Sequence, residues 1–447
     1  MSMISKTGAA IQRLFGEIVE AAAKKTGVIQ RKRKFSAVSL ARTFVLGYLK
    51  NPQATDEDLA QMAAQCGVDV TAQAIEQRHT AKMADFLKET FEHAAKEVVG
   101  SDRCLAPILE RFTHVKILDG STIKLPDSQK EAFPGCGGSY DANLAALKLQ
   151  TELDLRSGGV TVQLEPGKSP DAATDRQHVR YGKGSLRITD LGYFKVGVFG
   201  EIAAAEEYFL SRLQFGTEVQ LCEENGDLLG KSPGLLAWLN RQPGPFVDRP
   251  IHLGKEQKLP CRMIAWRLPE EQANRRRQKL KAETLSKKGR MPSDERLAWC
   301  DWTILVTNVP IELLTPAEAV VLYRARWQVE LLFKRWKSLD RVALLKGSTD
   351  VRQMVRVWSR LLMALVQHWL LVGCAWGDPT KSLVKVCRAI CDFAGRLAEG
   401  LSSGLGIEST IALIGRTIAK TCRRNKRSKP GTFELLNDVE LLEFRLT

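Results

Sequence analysis

The residues whose types and spacing could do chemistry stand out in residues 321–340, VLYRARWQVELLFKRWKSLD. No Pro or Gly interrupts the stretch. Thr315-Pro316-Ala317-Glu318 ahead of it offers an N-cap, a proline at the first helical position and a nearby acid, so the spacing predicts one helix. On a helical wheel Tyr323, Arg326, Glu330, Lys334 and Lys337 share one side. Ala325, Val329, Leu332 and Trp336 share the other, with Leu322 and Phe333 at their edge. One face is built to bury, and the other presents a single carboxylate among a phenol, a guanidinium and two ammonium groups. Two readings suit that face. Arg326/Glu330 and Glu330/Lys334 are i,i+4 ion pairs, as on an ordinary solvated helix. The same set would also serve a carboxylate that holds a metal ion beside nucleic-acid phosphate, with the cations gripping the phosphates.

A metal-holding carboxylate needs partners, and the elements upstream offer two. Residues 114–118 (HVKIL) form a short β-rich run that ends at Asp119, with Gly120-Ser121-Thr122 and a second run, 123–125, after it. Asp119-Gly120 reads either as a hairpin turn or as an accessible acid on a rigid strand end. Residues 147–155 and 159–164 read as strands around an Arg156-Ser157-Gly158 turn, and 170–181 as helical. Residues 186–189 then form a short strand leading into Asp190, and 208–212 a strand that carries Arg212 to its end. Residues 302–309 (WTILVTNV) form a clear strand entering the Glu330 helix.

Together these residues resemble a known family. Tyr323, Arg326, Glu330 and Lys337 match the Tyr-x2-Arg-x3-Glu-x6-Lys signature of the insertion-sequence-4 (IS4) family of DDE transposases, to which the Tn5 transposase belongs. DGST at 119–122 resembles the first catalytic-aspartate motif and DLGYF at 190–194 the second. The resemblance implies an α/β (mixed) fold: an RNase H-like catalytic core at 106–340 with a β-rich insertion subdomain at about 217–300. A helical DNA-binding region at 1–105 and a helical C-terminal region at 341–447 would flank it. It implies that Asp119, Asp190 and Glu330 converge at the edge of a mixed sheet and hold two Mg2+ ions, for which Mn2+ can substitute. It assigns Tyr323, Arg326 and Lys337, helped by Lys334, to the phosphates of the transposon end, and Arg212 to a phosphate grip. Trp302 occupies the place of a tryptophan that stacks a flipped base, a plain core tryptophan being the alternative. The activity implied is cut-and-paste transposition through a hairpin on the transposon end, followed by strand transfer into target DNA by a homodimer. A metal-dependent DNA nuclease of the same fold and a non-catalytic DNA-binding regulator are the rival readings.

Composition agrees with a polyanionic partner. The chain has 447 residues, a formal net charge of +15 and 44% hydrophobic residues, long enough for two or three domains with a sizeable core. Residues 1–50 hold ten Lys/Arg against two Asp/Glu, and 416–429 hold seven Lys/Arg and no acid. Residues 56–65 and 70–80, joined by a turn at 66–69, have the outline of a helix-turn-helix with Gln73, Gln77, Arg78 and His79 available to DNA. Thr217 to Cys300 includes a basic segment from Arg275-Arg276-Arg277 to Lys288. Ten cysteines without a CxxC pair, no signal-peptide pattern at 1–16 and an apolar run at 361–376 too short to span comfortably point to a reduced, cytoplasmic protein with no membrane segment. Scattered histidines leave a hard, oxygen-bound cation as the expected metal.

Overall fold

A computed structural model describes residues 2–30, 34–136, 144–223, 228–229, 234–338, 349–402, 406–425 and 430–441. The chain folds as two units that do not run consecutively. One comprises Met1–Leu105, Leu118–Ser169 and Trp327–Ser428; the other comprises Ala106–Ile117, Pro170–Arg326 and Lys429–Thr447. The N-terminal and C-terminal helical regions expected as separate domains therefore pack into one unit, because long-range helix contacts join them.

In the first unit the helix Asp350–Ala375 is the axis. It packs against helices Met3–Arg13, Ala37–Lys50, Ala81–Ala94, Leu383–Asp392 and Ile407–Lys420. It is long and apolar enough to cross a membrane by length and composition, but 89% of its most apolar window is buried by protein. The apolar run read from the sequence is thus the core helix of this unit, buried on nearly every side. The unit also holds β1 (Val115–Lys124) from Leu118 onward, β2 (Ala146–Asp154) and β3 (Val160–Pro166), in the order β3-β2-β1. β2 and β3 are antiparallel, from Leu147↔Pro166 to Leu153↔Val160.

The second unit is built on a mixed sheet. The start of β1 pairs in parallel with β4 (Leu186–Thr189), and β4 pairs in parallel with β5 (Tyr208–Arg212). The remaining strands are β6 (Val219–Leu221), β7 (Phe246–Leu253), β8 (Leu259–Arg267) and β9 (Trp302–Thr307), in the order β1-β4-β5-β9-β8-β7-β6. Strands of the expected insertion, 217–300, thus extend the same sheet through antiparallel ladders to β9. Phe199, Phe209, Ile251, Met263, Trp302 and Val306 are among the residues that pack its core.

Four local expectations are corrected. β1 runs unbroken through Asp119-Gly120, so this dipeptide is neither a hairpin turn nor a strand end; hydrogen bonding to β2 carries the ladder past it. The stretch 170–181 is two 3₁₀ turns, Asp171–Ala173 and Asp175–His178, separated by Thr174 in an extended conformation. The stretch 321–340 is not one helix. Helix Pro316–Ala325 ends where the Arg326 N–H donates to the Tyr323 carbonyl at 3.2 Å, an i−3 bond that tightens the turn, and Trp327–Ser338 begins a second helix. The helix-turn-helix outline keeps its first helix, Asp56–Gln65, and its Gly67 turn at φ 80°, but its second helix is only Ala72–Glu76. Thr80 caps the next helix instead, Arg78 stacks over the Phe35 ring, and His79 is held by Asp56 at 3.1 Å.

Candidate active site

The parallel register of β4 and β5 places an acid beside a base. Thr189 pairs with Ser211, so Asp190 and Arg212 each lie one residue further along adjacent strands. Asp190 follows β4 as the N-cap of a 3₁₀ turn, and its Oδ1 accepts the Gly192 N–H at 2.8 Å. The turn is tight around Gly192. A Cβ there would stand 3.0 Å from Asp190 Oδ1 and 3.3 Å from Asp171 Oδ2. Asp171 is therefore a second carboxylate at this turn. Its place in the PDAATD segment gave no sign of it, because only the packing of two 3₁₀ turns brings it there.

Tyr323 sits half-buried in the last turn of helix Pro316–Ala325. That helix starts as the sequence suggests. Thr315 and Glu318 form a capping box, and Glu318 also pairs with Arg111 at 2.8 Å. Burial pushes the Tyr323 hydroxyl above its ordinary pKa; Arg326 and Arg212 pull it down, Asp190 pushes it up, and the Arg326 side chain hydrogen-bonds to it. Tyr323, Arg326, Arg212 and Asp190 thus share one electrostatic neighbourhood. Among the described residues neither Asp190 nor Arg212 makes an ion pair, and both are half-buried.

The other site residues lie in the first unit. Glu330 is half-buried in the first turn of helix Trp327–Ser338, where the helix dipole favours a carboxylate. The apolar face read from the sequence is buried here at Val329, Leu332, Phe333 and Trp336. On the exposed side Lys334 Nζ lies 4.8 Å from the centre of the Trp327 ring, itself 45% exposed, and Lys337 faces solvent. Asp119 is half-buried on β1, and its Oδ1 accepts the Gly120 N–H at 2.9 Å. Carboxylates are the donors a hard divalent cation prefers. Among the described residues, however, no group of three or more His, Cys, Asp or Glu side chains is gathered closely enough to hold one.

From the sequence Trp302 is either a base-stacking residue or a plain core tryptophan. It is 2% exposed in the core of the second unit, and its Nε1 donates to Asn240 Oδ1 at 3.2 Å. In this conformation its ring is part of the packing of that core.

Comparison with known proteins places these residues in context. The transposase DDE domain family matches residues 110–366, a span that contains every residue just described. The chain belongs to the DDE transposase family. It is 30% identical to the transposase of insertion sequence element IS231B from Bacillus thuringiensis subsp. berliner over 374 residues, which covers 79% of this chain and 77% of that protein. The IS231E transposase of Bacillus thuringiensis subsp. finitimus is 30% identical over 370 residues, covering 78% of this chain and 76% of that protein. Similarity to the IS1151 transposase of Clostridium perfringens, at 24% identity, extends over 95% of this chain and 94% of that protein. This transposase is thus an IS4-like, DNA-cleaving enzyme of an insertion-sequence type.

Proposed function

We propose that this transposase binds the terminal inverted repeats of its own insertion sequence, cuts the DNA there and joins the freed end to target DNA. Asp119, Asp190 and Glu330 are the acids of the reaction, and Arg212, Tyr323, Arg326, Lys334 and Lys337 hold backbone phosphates near the cut. The observation that carries this reading is the cluster in the second unit, where Arg212 and Arg326 gather around the Tyr323 hydroxyl beside Asp190. Cations that hold phosphate next to an open carboxylate are what phosphoryl transfer requires of a protein, since its catalysis is mostly positioning and charge stabilisation.

The three carboxylates are the residues that would hold a pair of Mg2+ ions, with Mn2+ able to substitute. When bound, such ions supply an activated water or 3′-hydroxyl and neutralise charge on the leaving oxygen. The chain's own part is to orient the scissile phosphate through its guanidinium groups and the Tyr323 hydroxyl, with the Asp190 carboxylate beside them. The reaction passes through a hairpin on the transposon end and is carried out by a homodimer that pairs two ends, in the cytoplasm.

The test is incubation of a linear duplex carrying the element's end with this transposase and Mg2+, Mn2+ or a chelator. The expected result is nicking at the element boundary followed by a covalently closed hairpin and joined products, all abolished by chelation. Cleavage that persists in the chelator would contradict the acidic assignment. Cutting with no joining into any target would favour the nuclease reading.

A further inference from the structure

The helix Glu270–Lys288 carries three successive arginines, and two of them are already matched with carboxylates. Arg275 pairs with Glu271, and Arg277 pairs with Asp301 and with Glu270 at 3.1 Å. Arg276 differs. It lies on the packed side of the helix, with Ala273 and Thr284 buried and Leu280 half-buried at i−3, i+8 and i+4. Its Nη1 donates to the Trp302 carbonyl at 3.2 Å, at the start of β9, and among the described residues it has no carboxylate partner. Three residues along the same strand, Leu305 pairs with Arg212. Burial lowers the pKa of the Arg276 guanidinium, and Arg212 lowers it further, with Cys300 acting in the opposite direction. Two guanidinium groups are therefore held near one another, half-buried, with no ion-pair partner for either among the described residues. Such an arrangement costs stability in the free protein, because each charge is partly desolvated and repels the other. An anion placed between them removes both costs, and guanidinium forks match phosphate oxygens geometrically.

We infer that Arg276 and Arg212 form a two-guanidinium clamp for one phosphate of the DNA backbone. The clamp extends the phosphate-holding row of Arg212, Tyr323 and Arg326 onto the insertion helix, and the inference rests on the DNA-cleaving reading above. It gives the otherwise solvated basic helix a specific role, in which Arg276 reaches inward to the row while the exposed Lys281, Lys287 and Lys288 face solvent.

The experiment compares wild type with Arg276→Gln, Arg212→Gln and the double variant. Binding of a fluorescent duplex carrying the element's end is followed by anisotropy over a salt series, and thermal unfolding is recorded without DNA. Glutamine at 276 still offers a donor to the Trp302 carbonyl. The expected result for Arg276→Gln is roughly tenfold weaker binding, a log–log salt slope shallower by about one, and an unfolding temperature that does not fall. The double variant loses less than the product of the two singles, because both residues serve one phosphate. Arg276→Lys, which keeps the charge, keeps the wild-type slope and secures the test if glutamine is not tolerated. Wild-type binding with an unchanged slope and affinity in Arg276→Gln overturns the clamp alone, as does a fall in unfolding temperature with the slope intact. A wild type that fails to bind the end overturns the DNA reading itself.

Discussion

Asp190 and Arg212 show how little of a site is visible one residue at a time. Each was recognisable in the sequence as a charged residue at the end of a short apolar strand. Their adjacency follows from the parallel pairing of Thr189 with Ser211, a long-range register that no local spacing encodes. Asp171 was not legible for the same reason, since its nearness to Gly192 comes from two 3₁₀ turns meeting. Trp302 was legible as a strand-starting tryptophan, but burial decides between core and surface, and sequence spacing does not report burial. Another residue carries a consequence for pH. His368 is buried on helix Asp350–Ala375, its Nε2 meeting the Gly158 carbonyl at 2.8 Å, and burial pushes its pKa down to about 4. The folded state therefore keeps it neutral while the unfolded chain takes up a proton below about 6.5. Its contribution is fully present above that pH and is lost as pH falls from 6.5 toward 4. Urea unfolding should show up to about 3 kcal/mol of acid loss from this group, and His368→Gln should flatten the profile in that window. Parallel profiles for the two proteins would contradict the assignment.

At the scale of elements, helix and strand existence read well where the periodic pattern was long. The capping box at Thr315 and Glu318, the strands at 186–189, 208–212 and 302–307, and the apolar core helix all stand where patterning placed them. The failures have different causes. Asp119-Gly120 has local turn chemistry, yet pairing to β2 overrides it; the 321–340 stretch has unbroken helical periodicity, yet one i−3 hydrogen bond at Arg326 divides it. In the first case tertiary pairing outweighs local turn propensity; in the second the break is a local tightening of one turn. The turn between β2 and β3 gives an element-scale prediction. Gly158 has φ 75°, and a Cβ there would lie 2.4 Å from the Trp376 ring, whose Nε1 donates to the Leu155 carbonyl at 3.3 Å. Gly158→Ala should destabilise the first unit by at least ~2 kcal/mol, from left-handed strain and the displaced ring together. Chemical denaturation with an unchanged midpoint would show that the turn relaxes freely.

For the molecule as a whole, a net charge of +15 suits a protein whose substrate is a polyanion, and it implies binding that weakens steeply with salt. The motif residues are divided between the two units: Asp190, Arg212, Tyr323 and Arg326 belong to one, Asp119, Glu330, Lys334 and Lys337 to the other. On the proposed function the three acids act in one reaction. The most direct test is metal-dependent cleavage of the element's end by wild type and by Asp119→Asn, Asp190→Asn and Glu330→Gln, with end binding measured on the same preparations. Each variant should bind the end as wild type does and lose cleavage by at least about a thousandfold, as expected when a group needed only for the chemical step is removed. A Glu330→Gln protein that cuts as fast as wild type would reduce Glu330 to a surface ion-pair residue and contradict the shared role of the three acids.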